Sequence, residues 1–135
     1  MSEELFPVIA KAKKAWLGVE DHGILSVNVD FDYGGSMQGT GHYSLDTHIK
    51  HTSLGSKYPV QDKRVGTQWG MEFIRRLLLA MGVDWWSDIP GRTVYVLRDE
   101  DGFGGMIRGI RPLPTEPGVE FIFDDLKVLL EEGDR

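Results

Sequence analysis

The stretch Ile24-Leu25-Ser26-Val27-Asn28-Val29-Asp30-Phe31 alternates apolar and polar residues through its whole length, and this period of two predicts a half-buried β-strand. Leu25, Val27, Val29 and Phe31 fall on the face that meets the core. Ile24, Ser26, Asn28 and Asp30 fall on the other. Upstream, Glu20-Asp21-His22-Gly23 carries turn chemistry, so the strand is entered from a turn. Downstream, Gly34, Gly35, Gly39 and Gly41 crowd the segment after Tyr33, which requires positive φ angles, a bulge or a close backbone approach. A second strand is expected over His42 to Leu45.

Further out the signals are mixed. Leu5, Val8, Ile9, Ala12 and Trp16 stand at helical spacing, and the N-terminus reads as helix followed by strand. Asp46 to Asp62 has no sustained period and many turn formers, and reads as a long surface loop. Gly66-Thr67 opens the clearest helix, with Thr67 as N-cap, Gly82 as its end, and Met71, Ile74, Leu77, Leu78 and Met81 on one stripe. Ser87 to Gly91 reads as a turn and Thr93 to Leu97 as a strand, and Asp99 to Gly105 closes a hairpin with Met106 to Ile110. Pro112, Pro114 and Pro117 mark an irregular connection, and Asp124 is placed to cap a short helix carrying Leu126, Leu129 and Leu130. The fold class expected is α+β: an antiparallel sheet built from hairpins, packed against one main helix, with a short C-terminal helix.

The chain has 135 residues, 41% hydrophobic and 27% charged, which fits one globular domain over residues 1–135. Leu77 to Val83, its longest uncharged apolar run, is too short to cross a bilayer, and the N-terminus has no apolar signal region. A cytoplasmic location without membrane association is expected. The absence of cysteine excludes disulfides, thiolate nucleophiles and cysteine-based zinc sites. A net charge of −6 argues against a broad contact with long nucleic acid, while leaving room for a local basic pocket.

Candidate chemistry is sparse. The glycine segment from Gly34 to Gly41 lacks the Lys-Ser/Thr that a phosphate loop places after its last glycine. His48 and His51 stand three apart, with His22, His42 and Asp46 elsewhere, a set too scattered to predict a metal site. Asp30 and Asp32 share a strand face and could pair as acid and base, although a carboxylate before two glycines more often caps a turn. Arg75 and Arg76 point about 100° apart on the helix, so at most one faces any pocket. Arg64 precedes the helix N-terminus, where anions are favoured. Trp16, Trp69, Trp85 and Trp86 are more indoles than one small core accommodates, and Phe103 stands between glycines at a hairpin tip. No catalytic set and no cofactor motif emerges, which points to binding.

The ordered set Trp16-Leu17-Gly18, Glu20-Asp21-His22-Gly23-Ile24, Asp32-Tyr33-Gly34-Gly35, Gln38-Gly39, Gly41, Leu45-Asp46, Gly66-Thr67, Gly70, Glu72-Phe73-Ile74, Gly82-Val83, Ile89-Pro90-Gly91 and Asp101-Gly102-Phe103-Gly104-Gly105 with Ile107 resembles a family of small phage and prophage proteins. Within it the pattern is similar to the first-described type of anti-Thoeris sponge proteins, over residues 14 to 111. The resemblance implies a homo-oligomer, dimer or hexamer, that captures a cyclic ADP-ribose signal in the host cytoplasm without cleaving it, with cyclic oligonucleotides as a further ligand class. It implies aromatic stacking on Trp16 and phosphate contact at Arg64, with Phe103 and Arg108 on the matching hairpin as additional ligand residues. The proline-rich stretch Arg111 to Pro117 departs from the family pattern. Two other readings stand beside this one. They are a phage structural or protein-interaction module, and a nucleotide hydrolase built on Asp30, Asp32 and the histidines.

Overall fold

The structure, a computed structural model, describes residues 4–20, 22–48, 64–102 and 104–133. It is α+β, with a large antiparallel sheet, one main helix and a short C-terminal helix. The strands are β1 (Phe6–Gly18), β2 (Ser26–Asp32), β3 (Met37–Gly39), β4 (Tyr43–Ser44), β5 (Asp46–His48), β6 (Arg64–Gly66), β7 (Thr93–Arg98), β8 (Ile107–Arg111) and β9 (Phe121–Ile122). The helices are α1 (Gln68–Met81) and α2 (Asp125–Gly133). The main sheet runs β3-β2-β1-β7-β8-β9, with β4 also on β2, and β5 pairs β6 separately.

The N-terminal segment is strand throughout, not helix followed by strand. Val8, Ala10 and Ala12 face the core at period two, then a register shift between Ala12 and Lys14 moves the core face to Ala15. That bulge inserts one residue and breaks the period of two after Ala12, so the strand shows no sustained alternation. Ile9, counted on the supposed helical stripe, is 57% exposed. Asp46 to His48, expected as loop, forms β5 against β6; the rest of that expected loop, with His51, lies outside the described residues.

β1 serves two partners in turn. Phe6 to Lys11 pairs with β7, and Lys11 to Gly18 pairs with β2. The edge that β7 leaves open is closed by other groups. The Gly91 N–H donates to Ala12 O (2.8 Å), the Ala12 N–H donates to Arg92 O (2.8 Å), and Trp86 Nε1 donates to Ala15 O (3.3 Å).

Helix α1 begins as its sequence predicts. Thr67 Oγ1 accepts from the Gly70 N–H (2.9 Å) and donates to Leu45 O (3.0 Å), and Gly82 ends the helix at φ 69°. Its buried face is Gly70, Phe73, Leu77, Ala80 and Met81, with Ile74 and Leu78 packed beside it, so of the stripe read in the sequence only Met71 turns away, 73% exposed. Phe73 is the centre of an aromatic cluster with Tyr43, Trp69, Phe121 and Phe123, at centroid distances of 4.8 to 5.3 Å. This cluster joins the helix to β4, β9 and the segment entering α2, and Val27, Val29 and Phe31 complete the core from β2. The core between the helices and the sheet thus occupies one sheet face. The other face of β1 and β2 carries polar groups.

Candidate functional site

That polar face holds an outer cleft. The β1–β2 register places Lys14 opposite Asp30 and Trp16 opposite Asn28, all on the face away from Val27, Val29 and Phe31. Asn28 organises the floor. Its Oδ1 accepts from the Gly41 N–H (3.1 Å) and from Thr40 Oγ1 (3.4 Å), and its Nδ2 donates to Asp30 Oδ1 (2.9 Å). Glycine is required at position 39, because a Cβ there would stand 2.6 Å from Asn28 Oδ1. The half-buried Trp16 indole forms a wall, with the His42 ring edge-on to it at 5.2 Å and 71°. Lys14, Glu20 and Asp30 complete an open cleft of about 340 Å³.

The second cleft opens on the core face, where Val8 and Tyr33 pack against the edge of the core. Two hairpin turns meet there. In the β2–β3 turn, Asp32 Oδ1 accepts from the Gly34 and Gly35 N–H groups (2.8 and 3.1 Å), and these bonds hold the Asp32 carboxyl below its usual range. In the β7–β8 turn, Arg98 Nη2 donates to Gly102 O (2.7 Å) and Gly105 O (3.0 Å). The two turns are tied by Gln38, whose Nε2 donates to Gly105 O (2.7 Å) and whose Oε1 accepts from Tyr33 Oη and from Arg98 Nε (3.3 Å). The Arg98 guanidinium lies over the Tyr33 ring, 5.7 Å from its centroid. Burial pushes the Tyr33 phenol up, and the cleft measures about 540 Å³.

Of the residues named from sequence, Trp16 lines the outer cleft. Arg64 and Arg108 line neither. Arg64 donates from Nε (3.0 Å) and Nη2 (2.7 Å) to Asp46 Oδ1, with His48 Nε2 3.2 Å from its Nη1. Arg108 Nε donates to Asp99 Oδ2 (2.9 Å), and Phe103 lies outside the described residues, between the Gly102 and Gly104 that border the second cleft. Arg75 and Arg76 both pair with Glu72, Arg92 with Glu116 and Arg111 with Glu120. Arg98 is therefore the one arginine among the described residues with no carboxylate partner. The sequence gives no sign of this, since Asp99, Glu100 and Asp101 follow it directly.

Asp32 caps its turn, whereas Asp30 bonds Asn28 in the outer cleft. His42 packs on Trp16 and His48 on Arg64, and among the described residues no three His, Asp or Glu side chains converge as a metal site would need. Trp69 is in the aromatic cluster and Trp86 covers the β1 edge, while Trp85 is 71% exposed. Among the described residues no helix is long and apolar enough to cross a membrane. No family model, curated protein or solved structure matches this chain.

Proposed function

We propose that this chain is a ligand-sequestering protein that captures a cyclic ADP-ribose-type nucleotide signal and holds it without cleaving it. The observation that carries the reading is the Trp16 wall of the outer cleft. A half-buried indole beside a fixed amide and carboxylate offers a face for an adenine ring and acceptors for its exocyclic amine. Lys14 at the same cleft supplies a cation for a phosphate. The resemblance of residues 14 to 111 to anti-Thoeris sponge proteins supports the same ligand class, a host-cytoplasmic setting and assembly into a homo-oligomer.

The test is to mix purified protein with a cyclic ADP-ribose signal, measure the loss of free ligand, then denature by heat and identify what is released by mass spectrometry. Recovery of intact ligand supports sequestration. Recovery of a linear product moves the protein to the enzymes, and no depletion removes the proposal. A second reading, a protein-interaction module of a phage particle, is favoured by Trp85 and Met71, which are large, apolar and 71% and 73% exposed. Co-purification of a stoichiometric partner without nucleotide depletion would select it.

A further inference from the structure

We propose that the cleft between the two glycine-rich turns is a second binding site, for a small monocarboxylate with an apolar body, on the opposite sheet face from Trp16. Its charge comes from Arg98. Arg98 is partly buried, and the bonding partners of its guanidinium are Gln38 Oε1 and the carbonyl oxygens of Gly102 and Gly105, all neutral. Its Nη1 makes no hydrogen bond among the described residues. A positive charge whose direct hydrogen-bond partners are all neutral, at the wall of a cleft of about 540 Å³, is complementary to one incoming anion.

The lining sets the rest of the ligand. Val8 and the Tyr33 ring offer apolar surface, and Met37 and Met106 flank the opening with thioethers that are 60% and 51% exposed. Methionine adapts to varied apolar shapes, which suits an alkyl or aryl chain. The β7–β8 turn restricts the charge. Asp99 is spent on Arg108 and the Met106 N–H, but Glu100 and Asp101 bring further carboxylates to the same turn, and Glu100 Oε2 would stand 3.6 Å from a Cβ at Gly104. One anionic group gains the guanidinium. A polyanion would also meet those carboxylates.

The experiment is a calorimetric titration of the full chain with octanoate as probe, with octanol as its uncharged counterpart and adenosine monophosphate as competitor. Saturable octanoate binding is expected, about tenfold weaker for octanol and not displaced by the nucleotide. Arg98→Gln should weaken octanoate binding by at least about tenfold. Because Arg98 also ties the two turns, Met106→Glu tests the same point with the guanidinium and its bonds kept, and should weaken octanoate by a similar factor. Trp16→Ala should leave octanoate binding unchanged while it weakens nucleotide capture, so the two sites stand or fall separately. No saturation by octanoate, equal binding of octanol, or an unaffected Met106→Glu variant would overturn the proposal, as would loss of octanoate binding in Trp16→Ala.

Discussion

Arg64 and Asp46 form a fork in which two guanidinium nitrogens converge on one carboxylate oxygen, at 2.7 and 3.0 Å, while the other oxygen accepts from the Leu25 N–H at 3.0 Å. The pair therefore links β6 to β5 and to the chain entering β2. Arg64→Ala should lower Tm by roughly 3–8 °C, as expected for losing a charge-assisted contact in a domain of this size. Thermal melts followed by circular dichroism check this. An unchanged Tm together with lost nucleotide binding would return Arg64 to the ligand.

The same carboxylate sets a pH dependence. The Arg64 hydrogen bonds, with the Leu25 N–H, hold the Asp46 carboxyl below its usual 3.8. A depressed folded-state value means that the stabilisation is complete above the unfolded value and is lost as pH falls through the folded one. Asp32 and Asp99 are lowered as well, chiefly by the Gly34 and Met106 N–H groups respectively. Stability should therefore hold from neutral pH to about 5 and fall below about 4. Urea melts across that range should show a shallower decline in Asp46→Asn.

Gly70→Ala sets two effects against each other. Alanine is favoured over glycine inside a helix by about 1 kcal/mol. A Cβ at this position would stand 2.2 Å from Leu45 O and 2.6 Å from Leu45 Cα, and backbone cannot swing aside as a side chain can. Steric cost wins, and the net destabilisation should be about 1–3 kcal/mol in urea denaturation. A stabilised variant would show that α1 does not lie this close to the segment between β4 and β5.

Phe73→Ala removes the ring that touches Tyr43, Trp69, Phe121 and Phe123. The cost should be about 3–5 kcal/mol, because the cavity lies among rigid rings that cannot collapse to fill it. Denaturant titration measures it. A loss below about 1 kcal/mol would mean the cluster repacks.

Trp16→Ala is the counterpart at the outer cleft. The indole is half-buried and packs on His42 rather than in the core, so the fold should survive while nucleotide affinity falls by about 1–3 kcal/mol. Quenching of tryptophan fluorescence in the wild-type chain on adding ligand gives an independent reading. Unchanged affinity would assign Trp16 to a contact between chains.

What the sequence made legible is the part governed by local rules. Thr67 and Gly82 bracket α1 because capping needs only a side-chain oxygen and a left-handed residue at the right offset. The alternation from Leu25 to Phe31 found β2 and its core face for the same reason. The N-terminus failed because a bulge at Lys13 is set by pairing with β2, which no local pattern near residue 13 encodes. Arg98 was hidden by a related gap: adjacency in sequence to three carboxylates says nothing about which of them its side chain can reach from a tight turn. Asp99 turned instead to Arg108, across the hairpin.

The divided allegiance of β1 bears on how the molecule is made. Its C-terminal half can zip to β2 through a short local turn, but Phe6 waits for Arg98 and Val8 for Val96, partners that leave the ribosome only after most of the chain. Contacts of such separation are slow to close. Until β7 arrives, Val8 and Ala10 have no strand beside them on that side, and the nascent sheet carries an open, partly apolar edge. Late synthesis of β7 is thus the step that covers this edge and lets β8 and β9 add on, and a pause or truncation before Thr93 leaves an edge suited to aggregation or to capture by a chaperone.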